Sequence, residues 1–153
     1  MGDLQMKNGG FMLVCDGEKG LFLRNEGDEL FPNLQVYREM AQDNPPNREQ
    51  GSAPPGRSFD RTSPGRSAYE ETDWHRMAKE EFAREMAARL YRYAREKRYD
   101  QLIVVAPPRV LGELRKEMHR EVTRCIIAEI DKELTGHPID QIEAHLLKPA
   151  RPL

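Results

Sequence analysis

The chain has 153 residues, with 24 Lys and Arg against 26 Asp and Glu, a formal net charge of −2 and a mean hydropathy of −0.80. That is one domain's length, more polar than an average globular chain, and it excludes collagenous, coiled-coil-only and membrane-spanning readings. No apolar run approaches the roughly 18 residues a bilayer span needs, and residues 1–7 lack the basic-then-apolar order of a secretion signal.

The first predicted elements are strands. Phe11-Met12-Leu13-Val14-Cys15 is a short apolar run. Asp16-Gly17 is a turn signal, and Leu21-Phe22-Leu23 restarts the pattern, so residues 11–25 predict a β-hairpin. Asn25-Glu26-Gly27-Asp28 makes the next turn. Residues 34–40 alternate as a third, half-buried strand should.

Residues 43–72 change character. Pro45, Pro46, Pro54, Pro55 and Pro64 are interleaved with Gly51, Gly56 and Gly65, so neither a ladder nor a helix period survives. The expectation is a long Pro/Gly/Arg loop, and a loop of this length is functional or disordered. A helix follows over residues 74–98. Trp74, Met77, Ala78, Phe82, Met86, Leu90 and Ala94 share its apolar face, and Thr72 or Asp73 is available to cap it.

Leu102-Ile103-Val104-Val105-Ala106 is apolar without alternation, the pattern of a strand buried on both faces of a parallel sheet. Pro108 suits the first turn of a helix striped by Val110, Leu111, Leu114 and Met118. Residues 123–131 are rich in β-branched side chains and predict a strand, with a helix as the alternative because Ile126, Ile127 and Ile130 also fit a 3.6 period. Ile139, Ile142 and Leu146 mark a last helix. The expected fold class is therefore α/β: a mixed sheet with an N-terminal antiparallel meander, a long loop, then α-β-α-β-α. Residues 1–10 and 148–153 are expected to be flexible ends around a single domain over 11–147.

Charge is unevenly placed. Residues 1–43 hold 4 basic and 8 acidic side chains, whereas residues 76–98 hold 8 basic and 4 acidic. Arg48, Arg57, Arg61 and Arg66 share the loop with Phe59 and Tyr69, and His75 follows at the helix start. Guanidinium groups grip phosphate bidentately and aromatic rings stack on bases, so these seven residues are the candidate partner- or RNA-binding set. A solvated helix face and a solubilising loop are the plain alternatives. RNA, a ribosome or another protein is the expected partner class, with no membrane partner.

Signals for catalysis are weak. The four histidines show no HxH or HExxH spacing, no phosphate-binding Gly-rich loop ending in Lys-Ser/Thr is present, and no metal or other cofactor is expected. Cys15 and Cys125 lie in separate apolar segments and read as reduced, buried thiols of a cytoplasmic protein. The alternative function is a phosphodiesterase or other hydrolase. It would use Asp16 and Asp131 at strand ends, with Ser67 in the imperfect Gly65-Arg66-Ser67-Ala68-Tyr69 motif, and it requires at least two of these to meet.

Several motifs together carry a resemblance. They are Asp16-Gly17, Asn44-Pro45-Pro46-Asn47-Arg48-Glu49-Gln50-Gly51, Pro64-Gly65-Arg66-Ser67-Ala68-Tyr69-Glu70, Asp73-Trp74-His75, Ala106-Pro107-Pro108-Arg109-Val110-Leu111-Gly112-Glu113-Leu114-Arg115 and Asp131-Lys132-Glu133-Leu134-Thr135. Over residues 11–147 the chain resembles the bacterial host attachment protein family, which implies a role in attachment of bacteria to host cells. That family is in turn distantly similar to the middle domain of archaeal and eukaryotic peptide-chain release factors. Their loop carries a Gly-Gly-Gln motif that enters the peptidyl-transferase centre. Here the nearest matches are Gln50-Gly51 and Gly65-Arg66-Ser67, so the resemblance implies loop-mediated RNA or ribosome contact without that catalytic glutamine.

Overall fold

A computed structural model describes residues 4–42 and 64–147, with residues 64–75 described as backbone only. Three antiparallel strands open the chain: β1 (Phe11–Cys15), β2 (Lys19–Asn25) and β3 (Leu34–Ala41). Helix α1 (Pro64–Arg95) leads to β4 (Leu102–Val105), α2 (Pro108–Glu117), the single turn α3 (Arg120–Thr123), β5 (Ile126–Ile130) and α4 (Ile139–Leu146). The strands form one sheet in the order β3-β2-β1-β4-β5, with β1, β4 and β5 mutually parallel. This is the mixed α/β sheet that the hydrophobic pattern predicts.

Both faces of the central strands are covered, which explains why β1 and β4 lack alternation. Phe11, Leu13, Cys15, Leu102, Val104 and Ala106 face a core closed by α1, α2 and α3. Met12, Val14, Ile103 and Val105 face a second core closed by α4 and the N-terminal segment. Helix α1 contributes Phe82, Met86, Leu90 and Tyr93 at helical spacing, with Ala83 and Ala87 allowing close approach. Met77, expected on that stripe, is instead 56% exposed.

Three other expectations are corrected. Helix α1 begins at Pro64, so residues 64–72 belong to a helix rather than to the loop, and Thr72 and Asp73 are interior positions rather than caps. Proline at the first helical position has no amide hydrogen to lose and a φ already fixed for the helix. The helix also stops earlier than residue 98. Lys97 adopts φ 59°, its N–H reaches the Ala94 carbonyl and that of Arg98 reaches Tyr93, the paired bonds of a left-handed helix stop. Finally, residues 4–10 pack on the body: Leu4 bridges Leu147, and Met6 is 1% exposed in the second core.

The edge strands carry the irregularities. Phe22 pairs with Arg38 and Leu23 with Val36, leaving Tyr37 as the extra residue of a bulge on β3. The bulge turns Tyr37 onto the first core, against Phe11 and Tyr93, while most of β3 is exposed rather than half-buried. On the opposite edge, Leu102 pairs with Ile126 and Ile103 with Ala128, so Ile127 is extruded and exposed. Such bulges interrupt an otherwise pairable edge. Residues 123–125, expected to start β5, instead end α3 and lead into the strand.

Candidate functional site

The direction of α1 sets the positions of the residues on it. A Cβ on Gly17, in the β1–β2 turn, would lie 3.0 Å from Lys79, and one on Gly20 would meet Met86 and Phe82. At the other end of the helix, Tyr93 meets Phe11. Helix α1 therefore runs antiparallel to β1, and its part before Lys79, about 22 Å of helix, precedes the contact with the C-terminal end of that strand. Arg66, Tyr69 and His75 lie on this leading part of α1. Arg48, Arg57, Phe59 and Arg61 lie outside the described residues.

Asp16, at the C-terminal end of β1, is committed to structure. Its Oδ1 accepts the Glu18 and Lys19 amides, both at 2.7 Å, and its Oδ2 accepts the Thr135 hydroxyl at 2.8 Å. Partial burial pushes the carboxyl upward, but the Glu18 amide, the Thr135 hydroxyl and the Lys19 amide outweigh it and hold the carboxyl below its ordinary value. The side chain thus ties the hairpin turn to the loop before α4. Asp131 is exposed just beyond β5, and Ser67 is an α1 position. Among the described residues no group of three or more His, Cys, Asp or Glu side chains could hold a metal ion.

Asp16→Ala is expected to lower stability by about 1–2 kcal/mol at pH 7. A depressed carboxyl contributes stability above its unfolded value, about 3.9, and loses it as the pH falls through the lower folded value. The gap between wild type and variant should therefore close below about pH 4. Urea midpoints across that range check both the size and the sign.

The last turns of α1 gather positive charge. Arg89, Arg92, Arg95, Lys97 and Arg98 stand against one carboxylate, Glu96, within residues 89–98. Glu96 is bonded by Arg98 at 2.6 Å and by Arg92 at 3.2 Å, and these hydrogen bonds hold its carboxyl below the usual range. Arg98 also donates to the Tyr37 hydroxyl and lies over the Tyr93 ring at 5.7 Å. Helix α3 adds Arg120, and Arg124 follows at its end; both are exposed, the latter 3.6 Å from Glu121.

Aromatic rings are interleaved with these cations. Tyr91 stacks on His119 with centroids 4.1 Å apart and ring planes 29° apart. Arg95 sits over the Tyr91 ring at 5.7 Å. His119 caps α3: its Nδ1 accepts the Glu121 amide at 2.9 Å. Sequence reasoning reads each histidine as a surface or cap residue, and His119 is both exposed and a cap. The pair Tyr91 and Arg95 shows an i,i+4 spacing, but the stack on a residue 28 positions away is a tertiary event.

A mixed sheet with an antiparallel start, crossed by one long helix with a basic C-terminal end and closed by β-α-β and a final helix, defines a release-factor-like α/β domain. The chain belongs to the bacterial archaeo-eukaryotic release factor family 12, whose model matches residues 11–146. It is also similar to Uncharacterized protein RP470 of Rickettsia prowazekii (strain Madrid E), with 34% identity over 50 residues, which is 33% of this chain and 33% of that protein. The match thus spans about a third of that relative's length. Among the described residues no helix is long and apolar enough to cross a membrane.

Proposed function

We propose that this chain is an RNA-contacting domain that works at the ribosome or on ribosome-associated RNA in the cytoplasm. The observation that carries the reading is the end of α1, where five cations face one carboxylate and lie among tyrosine rings. Phosphate oxygens are the natural counter-charge for such a surface, and guanidinium over an aromatic ring keeps both phosphate and base contacts available. Arg48, Arg57, Phe59, Arg61, Arg66, Tyr69 and His75 supply a second contact from the segment before α1 and from its leading turns. The Gly-Gly-Gln motif is absent, so the domain contacts RNA without cleaving peptidyl-tRNA by that route. A part in attachment of bacteria to host cells, implied by the sequence resemblance, is then a downstream effect of this RNA contact. Hydrolysis through Asp16, Asp131 and Ser67 lacks comparable support, because the Asp16 oxygens are already engaged by three donors.

The test is RNA binding measured against salt. Wild type should bind at low salt, with affinity falling linearly on a log–log scale. An Arg48/Arg57/Arg66 triple Ala variant and an Arg92/Arg95 double Ala variant should each flatten that slope, by about 0.7–0.9 for every phosphate that the protein no longer neutralises. Absence of binding at low salt, in wild type and variants alike, removes the reading.

A further inference from the structure

The Tyr91–His119 stack is built in a way that helix packing alone does not require. Tyr91 is half-buried at the margin of the first core, whereas His119 is exposed. One ring face of His119 lies on Tyr91, and its Nδ1 is held by the Glu121 amide. An acceptor at Nδ1 places the hydrogen of the neutral ring on Nε2, so the ring is fixed both in plane and in tautomer. The exposed imidazole is therefore a preorganised π surface with one hydrogen-bond donor at its edge. Arg95 on α1 lies over the Tyr91 ring, Arg120 directly follows His119 at the start of α3, and Arg124 is the residue that ends that turn. The nearby acids are Glu117, which pairs with Arg84 at 3.6 Å, and Glu121, which pairs with Arg124.

We propose that the Tyr91–His119 stack is a platform for one unpaired RNA base, with Arg95, Arg120 and Arg124 taking the flanking phosphates. The proposal rests on the RNA reading above and specifies it: the ligand is single-stranded, and the contact lies where α1 ends, at the opposite end of that helix from Arg66 and Tyr69. An unpaired base can offer its whole π face to a ring, while a base inside a duplex has both faces covered by neighbours. Stacking of this kind is tolerant of base identity, since every base has such a face. The platform is thus a strand-state reader rather than a sequence reader.

The deciding variant is His119→Asn. Asparagine supplies a side-chain oxygen to cap α3, so the fold is kept while the ring is deleted. Tyr91→Phe keeps the stack, and Tyr91→Leu removes it. Fluorescence anisotropy with a labelled single-stranded RNA and with a duplex of the same length gives the affinities. A 2-aminopurine placed in the single strand reports stacking directly through quenching. Wild type and Tyr91→Phe should prefer the single strand and quench the probe. His119→Asn and Tyr91→Leu should bind the single strand about tenfold or more weakly, leave the probe unquenched, and bind the duplex as wild type does. Equal single-strand binding by wild type and His119→Asn overturns the platform alone, as does an equal weakening for both RNAs. Failure of wild type to bind either RNA overturns the RNA reading itself, and the platform with it.

Discussion

Asn25→Ala is expected to cost about 3–4 kcal/mol of folding stability, a large fraction of the 5–15 kcal/mol typical of a domain this size. Asn25 is fully buried at the end of β2 and is the one buried polar side chain among the described residues. Its Nδ2 donates to the Met6 carbonyl at 2.7 Å, and its Oδ1 accepts the Gly27 and Asn33 amides, both at 2.9 Å. Alanine removes these bonds, leaving the Met6 carbonyl without its buried donor and the part-buried Gly27 and Asn33 amides without their acceptor. The turn around it is tight, since a Cβ on Gly27 would come within 2.0 Å of the Phe31 carbonyl oxygen. The control is Asn25→Asp. A carboxylate keeps the two acceptor roles but points an oxygen at the Met6 carbonyl. That variant should be nearly as unstable at neutral pH and should recover on acidification, when a protonated carboxyl can again donate to Met6. Urea denaturation at neutral and acidic pH separates the two cases. An alanine variant within about 1 kcal/mol of wild type would mean that water replaces the side chain at little cost.

The same residue shows where sequence legibility ends. Asn25-Glu26-Gly27-Asp28 reads correctly as a turn, because Asn and Gly have local reasons to sit in one. That the amide also anchors residue 6, nineteen positions earlier, has no local signature, so residues 1–10 read as a loose end although Met6 is buried. The strands of the hairpin, the two-sided strand β4 and the helices α2 and α4 are legible because their hydrophobic spacing is the direct imprint of what they bury. The bulges at Tyr37 and Ile127 are not, since a bulge is a property of two strands in register. The start of α1 escapes the sequence for a different reason. Pro64 and Gly65 look like the end of a loop, yet proline is compatible with the first turn, and a glycine there costs only about 1 kcal/mol against the gain of a long continuous helix.

The candidate site divides in the same way. The basic character of residues 76–98 is visible as a charge count, whereas its concentration over 89–98 and its interleaving with Tyr91, Tyr93 and His119 depends on α3 folding back onto α1. Much of that surface is supported from beneath by aromatic packing. Arg98 reaches Tyr37 only because the bulge in β3 turns that ring inward, and Tyr93 lies between the core and the cations above it. The charge pattern of the surface is therefore coupled to the packing of the core under it.

Phe11→Ala tests that coupling and should be the most damaging core substitution. The ring is fully buried, with centroids 4.8 Å from Tyr37, 5.0 Å from Tyr99 and 5.8 Å from Tyr93. Removing it should cost about 3–5 kcal/mol through reduced burial and a residual cavity, and the three ring contacts argue for the upper end. Phe11→Leu, which refills most of the volume, should cost less than half of that. The damage should be readable at Tyr99. Burial, reinforced by the nearby Cys125 thiolate charge, pushes the Tyr99 phenol well above its ordinary value, and its hydroxyl donates to the Leu90 carbonyl at 2.9 Å. A phenol raised in this way favours the folded state below its unfolded value of about 10, and that stability is lost as the pH rises beyond it. Wild type should therefore weaken in alkali as Tyr99 comes to titrate only through unfolding. The space left beside the ring lowers the burial penalty, so in folded Phe11→Ala the phenol should ionise at lower pH than in wild type, as followed by ultraviolet difference absorbance, with Phe11→Leu staying close to wild type. An unchanged tyrosine titration, together with a destabilisation below about 2 kcal/mol in Phe11→Ala, would mean that the aromatic cluster closes up around the deletion and that the surface above α1 is held by the helix alone.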